Sequence, residues 1–201
     1  MRIFKIWVLV LFCLLMAAIP SLAADEALLG NSMDSTSIWG IDLKSTPVNG
    51  QSGLFLGSYN GRVMNDGTLI IGSEGYILLT PLSAPSGAPN IGVDCNIGLY
   101  YCGLTCEYIM RPNKLIQVSG SVLAGLCYVK YIGAGYNMEN GLAALCCVVE
   151  PGVNVMMNVS DSLKAGLGVS YRWVTGLNMQ GLTNDDLKGV SINFIFRFVE
   201  F

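Results

Sequence analysis

Apolar and polar residues alternate with a period of two through most of the chain beyond residue 36. In 162–174, Leu163, Ala165, Leu167, Val169, Tyr171 and Trp173 fall on one face, and Lys164, Gly166, Gly168, Ser170 and Arg172 on the other. In 114–130, Val118, Val122, Ala124, Leu126 and Tyr128 oppose Ser119, Ser121 and Gly125. In 98–108, Leu104, Cys106 and Tyr108 oppose Thr105 and Glu107. The last segment opposes Val190, Ile192, Phe194, Phe196 and Phe198 to Ser191, Asn193 and Arg197. Alternation of this kind places successive side chains in two environments and marks β-strands. It predicts eight strands, at approximately 37–47, 52–64, 68–79, 91–110, 114–130, 142–159, 162–174 and 188–200. The segment 52–64 is the least regular, with Asn60 and Arg62 on its expected apolar face.

Turn chemistry separates the strands. Asn49-Gly50 and Asn65-Asp66-Gly67 carry residues that tolerate positive φ and so favour tight hairpins. Arg111-Pro112-Asn113 and Ser160-Asp161-Ser162 are also short and turn-prone, whereas 80–90, 131–141 and 175–187 are long. After the first hairpin the connections run short, long, short, long, short, long. An even number of strands with all long loops at one end is the asymmetry of an outer-membrane barrel with periplasmic termini.

Composition bears on which face points outward. Only 12% of the residues are charged, 24 are glycine, and the net charge is −3. A water-soluble barrel would carry more charge on its outer face. Here the polar face is small and glycine-rich, with Asp42, Glu74, Glu107 and Glu150 matched by Lys44, Lys164, Arg172 and Arg197. Such a balanced set suits the packed lumen of a narrow barrel. On the apolar face, Trp39, Tyr108, Phe196 and Phe198 would lie towards the periplasm, and Tyr128, Tyr171 and Trp173 towards the outside, as two interfacial girdles. Alternation alone also fits a soluble barrel with ordinary core aromatics. The acidic balance gives nucleic-acid binding no electrostatic footprint.

The ends of the chain add an address. Arg2 and Lys5 precede an apolar run from Ile6 to Ile19, then Pro20-Ser21-Leu22-Ala23. The run is shorter than the roughly 20 residues a membrane helix needs. The pattern predicts a signal peptide at 1–23, cleaved after Ala23, an N-terminal segment at 24–36 and a single barrel domain at 37–201. The final strand stops at Phe201, an aromatic end that could serve as an assembly signal. Its odd parity differs from the even apolar positions before it, and a β-bulge near Val199 would restore the facing.

Several stretches carry a resemblance: G-L-Y-Y-C-G-L-T-C-E-Y-I at 98–109, V-V-E-P-G-V-N-V at 148–155, G-V-S-Y-R at 168–172 and the Phe201 end. With them the chain resembles the small eight-stranded outer-membrane barrels, the class of OmpX and the OmpA membrane domain. It looks closest to uncharacterised exported barrel proteins of Bacteroidetes-type bacteria. The resemblance implies an all-β, closed, up-and-down antiparallel transmembrane barrel with a packed lumen, in the outer membrane of a Gram-negative bacterium. The implied partners are outer-membrane lipid and, during biogenesis, periplasmic chaperones and the barrel-assembly machinery.

Candidate chemistry is sparse. The sequence has no histidine, which removes histidine-dependent hydrolysis and histidine metal sites. No phosphate-binding loop, cofactor motif or metal motif is evident, and no catalytic residue is assigned. Glu150 and Arg172 face each other if the last short turn centres on Asp161, and are expected to pair as a structural lumen plug. Beyond the signal lie Cys95, Cys102, Cys106, Cys127, Cys146 and Cys147. An exported chain permits disulfides, and Cys127 falls roughly opposite Cys146. Asn184-Asp185-Asp186 reads as a solvated loop tip, because its spacing does not match a calcium loop. The leading reading is a non-enzymatic structural or surface-contact protein acting through loops 80–90, 131–141 and 175–187. The alternatives are a soluble exported barrel that holds an apolar ligand, and a narrow pore.

Overall fold

The computed structural model describes residues 37–88, 95–133, 143–160 and 162–200. The expected signal peptide, the segment 24–36 and Phe201 lie outside the described residues. Eight long strands are present: β1 (Ser37–Val48), β2 (Gln51–Met64), β3 (Leu69–Leu78), β5 (Asn96–Met110), β6 (Ile116–Ile132), β7 (Ala143–Asn158), β8 (Leu163–Thr175) and β9 (Gly189–Glu200). A two-residue strand, β4 (Leu82–Ser83), pairs with the start of β5. Every pairing is antiparallel, each long strand pairs with its neighbours in sequence, β1 pairs with β9, and β3 pairs with β5 across the long loop. The sheet is therefore closed on itself, which leaves no long edge unpaired.

Register shows how the strands tilt. The row of partners Phe198, Trp39, Asn60, Ser73, Leu104, Ala124, Val149 and Trp173 crosses the eight long strands. The row returns beside Arg172, which pairs with Gly189 near the far end of β9 from Phe198. Such a stagger belongs to strands tilted roughly 35–45° to the barrel axis.

The turns fall as their chemistry dictates. Asn49 and Gly50 have φ of 50° and 70°, the doubly left-handed geometry that a two-residue hairpin needs. Turns 65–68, 111–115 and 159–162 share one end of the barrel with the start of β1 and the end of β9, where Ser37 pairs with both Arg62 and Glu200. The longer connections, together with Asn49-Gly50, lie at the other end. The β1–β9 register runs without interruption from Ser45–Ile192 to Ser37–Glu200, so no bulge occurs at Val199.

Side-chain facing is inside-out relative to a soluble barrel. Leu167, Tyr171 and Phe196 are 54%, 42% and 43% exposed on the outer wall, whereas Glu150 and Arg172 are 3% and 1% exposed in the lumen. Trp39, Tyr108 and Trp173 also face outward, and Trp39 stacks on Phe198 at 4.3 Å between ring centres. The irregular β2 keeps the alternation but not the polarity: Leu54 and Leu56 are exposed together with Ser58 and Asn60, while Phe55 and Tyr59 point inward between Gly53, Gly57 and Gly61.

Candidate functional site: the lumen and its cap

The lumen is filled in layers, because strand alternation drives every second side chain towards a narrow axis. At the turn end, Ile38, Tyr59, Ile70 and Ile109 form an apolar floor. At the loop end, a larger apolar cluster includes Phe55, Leu99, Val129, Val148 and Val174. Between them lies a polar layer built around two buried ion pairs. Lys44 Nζ donates to Glu150 Oε1 at 2.6 Å and to the Tyr101 hydroxyl at 3.1 Å, and lies 3.4 Å from the centre of the Tyr76 ring. Glu150 also accepts from Tyr101 at 2.9 Å and Ser170 at 2.5 Å. One position further down, Arg197 pairs with Asp42, donating to Oδ2 at 3.1 Å, and its guanidinium lies 3.8 Å from the centre of the Tyr59 ring. Tyr76 donates to Asp42 at 3.0 Å and touches Glu74. Glu107 accepts from Tyr59 at 3.2 Å, Asn154 at 3.4 Å, and Ser119. Lys164 donates to Gln117 at 3.2 Å near the floor. Buried charges with this many charge-assisted partners are tolerated where lone ions would not be.

The expected Glu150–Arg172 pair is corrected by these contacts. The flanking pairs Val149–Trp173 and Gly152–Ser170 keep the two residues in line, yet Glu150 is taken by Lys44 from across the lumen. Arg172 extends towards the loop end instead. It donates to the carbonyls of Leu187 at 2.7 Å and Pro47 at 2.9 Å, with its guanidinium 5.2 Å from the centre of the Phe55 ring. Two long side chains on adjacent strands point at the axis rather than at each other. Glu150 therefore takes a partner across the narrow interior, whereas Arg197 and Asp42 pair laterally between the adjacent strands β9 and β1.

Sequence reasoning missed the lumen aromatics Phe55, Tyr59, Tyr76 and Tyr101. For two of them the signal was present: Phe55 and Tyr59 alternate with Gly53, Gly57 and Gly61 on the face assigned to the lumen. The Tyr76 ring lies where a Cβ on Gly57 would project. Gly57→Val is expected to push Tyr76 off Asp42 and lower stability by about 1–3 kcal/mol, the usual range for overpacking; urea unfolding in detergent reads this.

Loop 175–187, expected to meet the environment, also turns part of itself inward. Its Met179, Leu182 and Leu187 are buried in the loop-end cluster, and Tyr131 donates to the carbonyl of Gln180 at 2.7 Å. The loop caps the barrel mouth. The Asn184-Asp185-Asp186 tip holds the loop's own shape. Asn184 accepts from the Leu177 N–H at 2.9 Å, Asp186 from both donors of Thr183 at 2.7 Å, and Asp185 pairs with Lys188 at 2.7 Å. Three apolar residues spaced through a loop were the available hint.

Cys127 and Cys146 are directly opposed on β6 and β7, with Cα atoms 5.0 Å apart, and are joined as a disulfide inside the same cluster. The replacement of both by serine is expected to destabilise the barrel by about 2–4 kcal/mol, read from the unfolding midpoint of the wild type and variant under matched conditions. Cys106 and Cys147 point outward. No group of metal-ligating side chains occurs among the described residues.

No protein-family model matches the sequence, nor does any curated protein. Solved structures do match in shape. The Neisserial surface protein A (NspA) is 13% identical, with a TM-score of 0.56 over 84% of this chain and 99% of that one. Ail, the attachment invasion locus protein of Yersinia pestis, in complex with the heparin analogue sucrose octasulfate, is 11% identical, with a TM-score of 0.53 over 84% of this chain and all of the other. At such identities the likeness establishes the fold: a closed, eight-stranded antiparallel barrel of the kind found among small outer-membrane proteins.

Proposed function

We propose that the chain is an integral protein of a Gram-negative outer membrane, non-enzymatic, that acts as a structural or surface-contact element through its loop end. The observation that supports this most strongly is the inversion of polarity. A largely apolar outer wall, interrupted on β2 and β3 by Ser58, Asn60 and Ser73, surrounds a lumen of paired charges, the arrangement a lipid solvent demands. The soluble carrier of an apolar ligand requires the opposite facing, and the wall and lumen described above do not provide it. A pore fits poorly, because the interior cavity is about 20 Å³, close to the space of one water molecule, with apolar clusters at both ends. Lumen carboxylates tied into ion pairs and hydrogen bonds leave little for general acid–base work. This reading makes outer-membrane lipid the main partner, with chaperones and the assembly machinery acting on the unfolded chain. The narrower likeness to exported barrels of Bacteroidetes-type bacteria rests on the segments quoted above.

The NspA and Ail names speak of a surface protein and of attachment and invasion. Surface contact in this chain would use 80–88, 176–188 and the Asn49-Gly50 turn. The test is fractionation of expressing cells together with gel migration before and after heating. Recovery in the outer membrane with heat-modifiable migration is expected. Release as a soluble periplasmic protein would refute the proposal.

A further inference from the structure

The break in the apolar outer wall is compact. On β2 the outward residues Ser58 and Asn60 follow Leu54 and Leu56, and on β3 Ser73 and Gly75 stand between the outward Ile71 and Ile77. Register joins the four into one block: Ser58 pairs with Gly75, and Asn60 with Ser73. The opposite wall, on β7 and β8, shows Val149, Val153, Val155, Leu167 and Val169 outward. Ser58 lies six residues before Met64, the turn-end limit of β2. On a tilted strand that separation is roughly 15 Å, well inside a hydrocarbon layer of roughly 30 Å.

Lipid tails carry no hydrogen-bonding groups, so the Asn60 amide and the two serine hydroxyls lose partners on insertion. Among the described residues, none of these three side chains has a hydrogen-bond partner within the chain. Lipid headgroups stay at the rim, so a partner at this depth is another protein wall. The chemistry of the block selects a second copy. Copies inserted in one direction are related by a two-fold axis along the membrane normal. Residues near that axis then meet their own counterparts at equal depth, an isologous contact. A patch of one charge sign, or of donors alone, would repel itself there. This block is neutral, and its amide and hydroxyls each donate and accept. Asn60 can therefore exchange two N–H···O bonds with its counterpart. Arg62, the next outward residue of β2, pairs with Ser37 at the turn end, where water screens it. The small side chains let two convex walls approach, as small residues do between membrane helices.

We propose that the β2–β3 wall is a contact between two copies of this chain within the membrane, with Asn60 bonded to Asn60 of the second copy across the two-fold axis. The proposal rests on the membrane reading above. Its test therefore starts from barrels already inserted in vesicles and showing heat-modifiable migration, so that a monomer there counts against the contact alone.

The test is energy transfer between donor- and acceptor-labelled copies in phosphatidylcholine vesicles, followed as lipid dilutes the protein. Transfer above random proximity is expected at low protein-to-lipid ratio. Asn60→Leu is expected to weaken association about tenfold, the scale of one or two hydrogen bonds in lipid, with heat-modifiable migration kept. Transfer at the random level for the wild type, or unchanged association in Asn60→Leu, overturns the proposal. A second measurement does not depend on that variant. With the four free cysteines replaced by alanine, Ser58→Cys is expected to form an oxidant-induced dimer in vesicles and Val153→Cys to stay monomeric. Equal cross-linking at the two positions, or none at Ser58→Cys, also overturns it.

Discussion

Replacing Lys44 by methionine is expected to destabilise the barrel by about 3–5 kcal/mol, the range for removing one partner of a buried ion pair. The ammonium group is 2% exposed and lies 2.6 Å from Glu150. It also donates to Tyr101 and covers the Tyr76 ring. Methionine fills a similar volume but leaves the Glu150 carboxylate with only Tyr101 and Ser170 as donors. Combining Lys44→Met with Glu150→Gln is expected to lose much less than the sum of the single changes, because no uncompensated charge then remains. Combining Arg172→Met with Glu150→Gln should show weaker coupling, since Arg172 bonds to carbonyls of β1 and the capping loop. Urea unfolding of the three single and two double variants in detergent measures both couplings. A neutral Lys44→Met, or stronger coupling to Arg172 than to Lys44, would contradict the assignment.

The second large effect is expected on the opposite wall. Leu104 is exposed on β5, midway along the register row that climbs from Trp39 to Trp173. If those tryptophans mark the two interfaces, Leu104 lies near the membrane midplane. Leu104→Arg is then expected to cost about 2–4 kcal/mol in a lipid bilayer, where a cation at the midplane is least tolerated. The same change at Ser86, an exposed residue of the long loop at the barrel mouth, should be close to neutral. A soluble barrel would accept Leu104→Arg readily, because the arginine would reach water. Reversible unfolding in vesicles separates the two outcomes.

Much of this architecture was legible before any coordinates. Period-two alternation located every long strand to within a few residues, because a sheet with unlike faces imposes that pattern directly. Asn49-Gly50 and Asn65-Asp66-Gly67 announced their turns through backbone conformations few other residues accept. The start of β5 was set at residue 91, whereas the described strand begins at Asn96, and the Leu82–Ser83 pairing was not foreseen. Side-chain partnership was harder to read. Alternation shows that Lys44, Glu150 and Arg172 face inward, but not which of them meet, because that depends on barrel diameter and stagger. A lateral rule suggested Glu150 with Arg172; the curvature of a small barrel gave Glu150 to Lys44. The capping role of loop 175–187 was not legible for a related reason. Its apolar residues follow no strand or helix period, and their burial depends on a mouth formed by distant strands.

The central claim is that the apolar outer wall meets hydrocarbon while the charged wall encloses the axis. Trp39 and Trp173 both lie on that outer wall and make the chain its own probe. With the barrel reconstituted in vesicles, brominated acyl chains should quench the fluorescence of both. They should spare a Phe55→Trp reporter placed in the lumen of a variant lacking the two native residues. Strong quenching of the lumen reporter, with Trp39 and Trp173 reached only by a water-soluble quencher, would contradict the account.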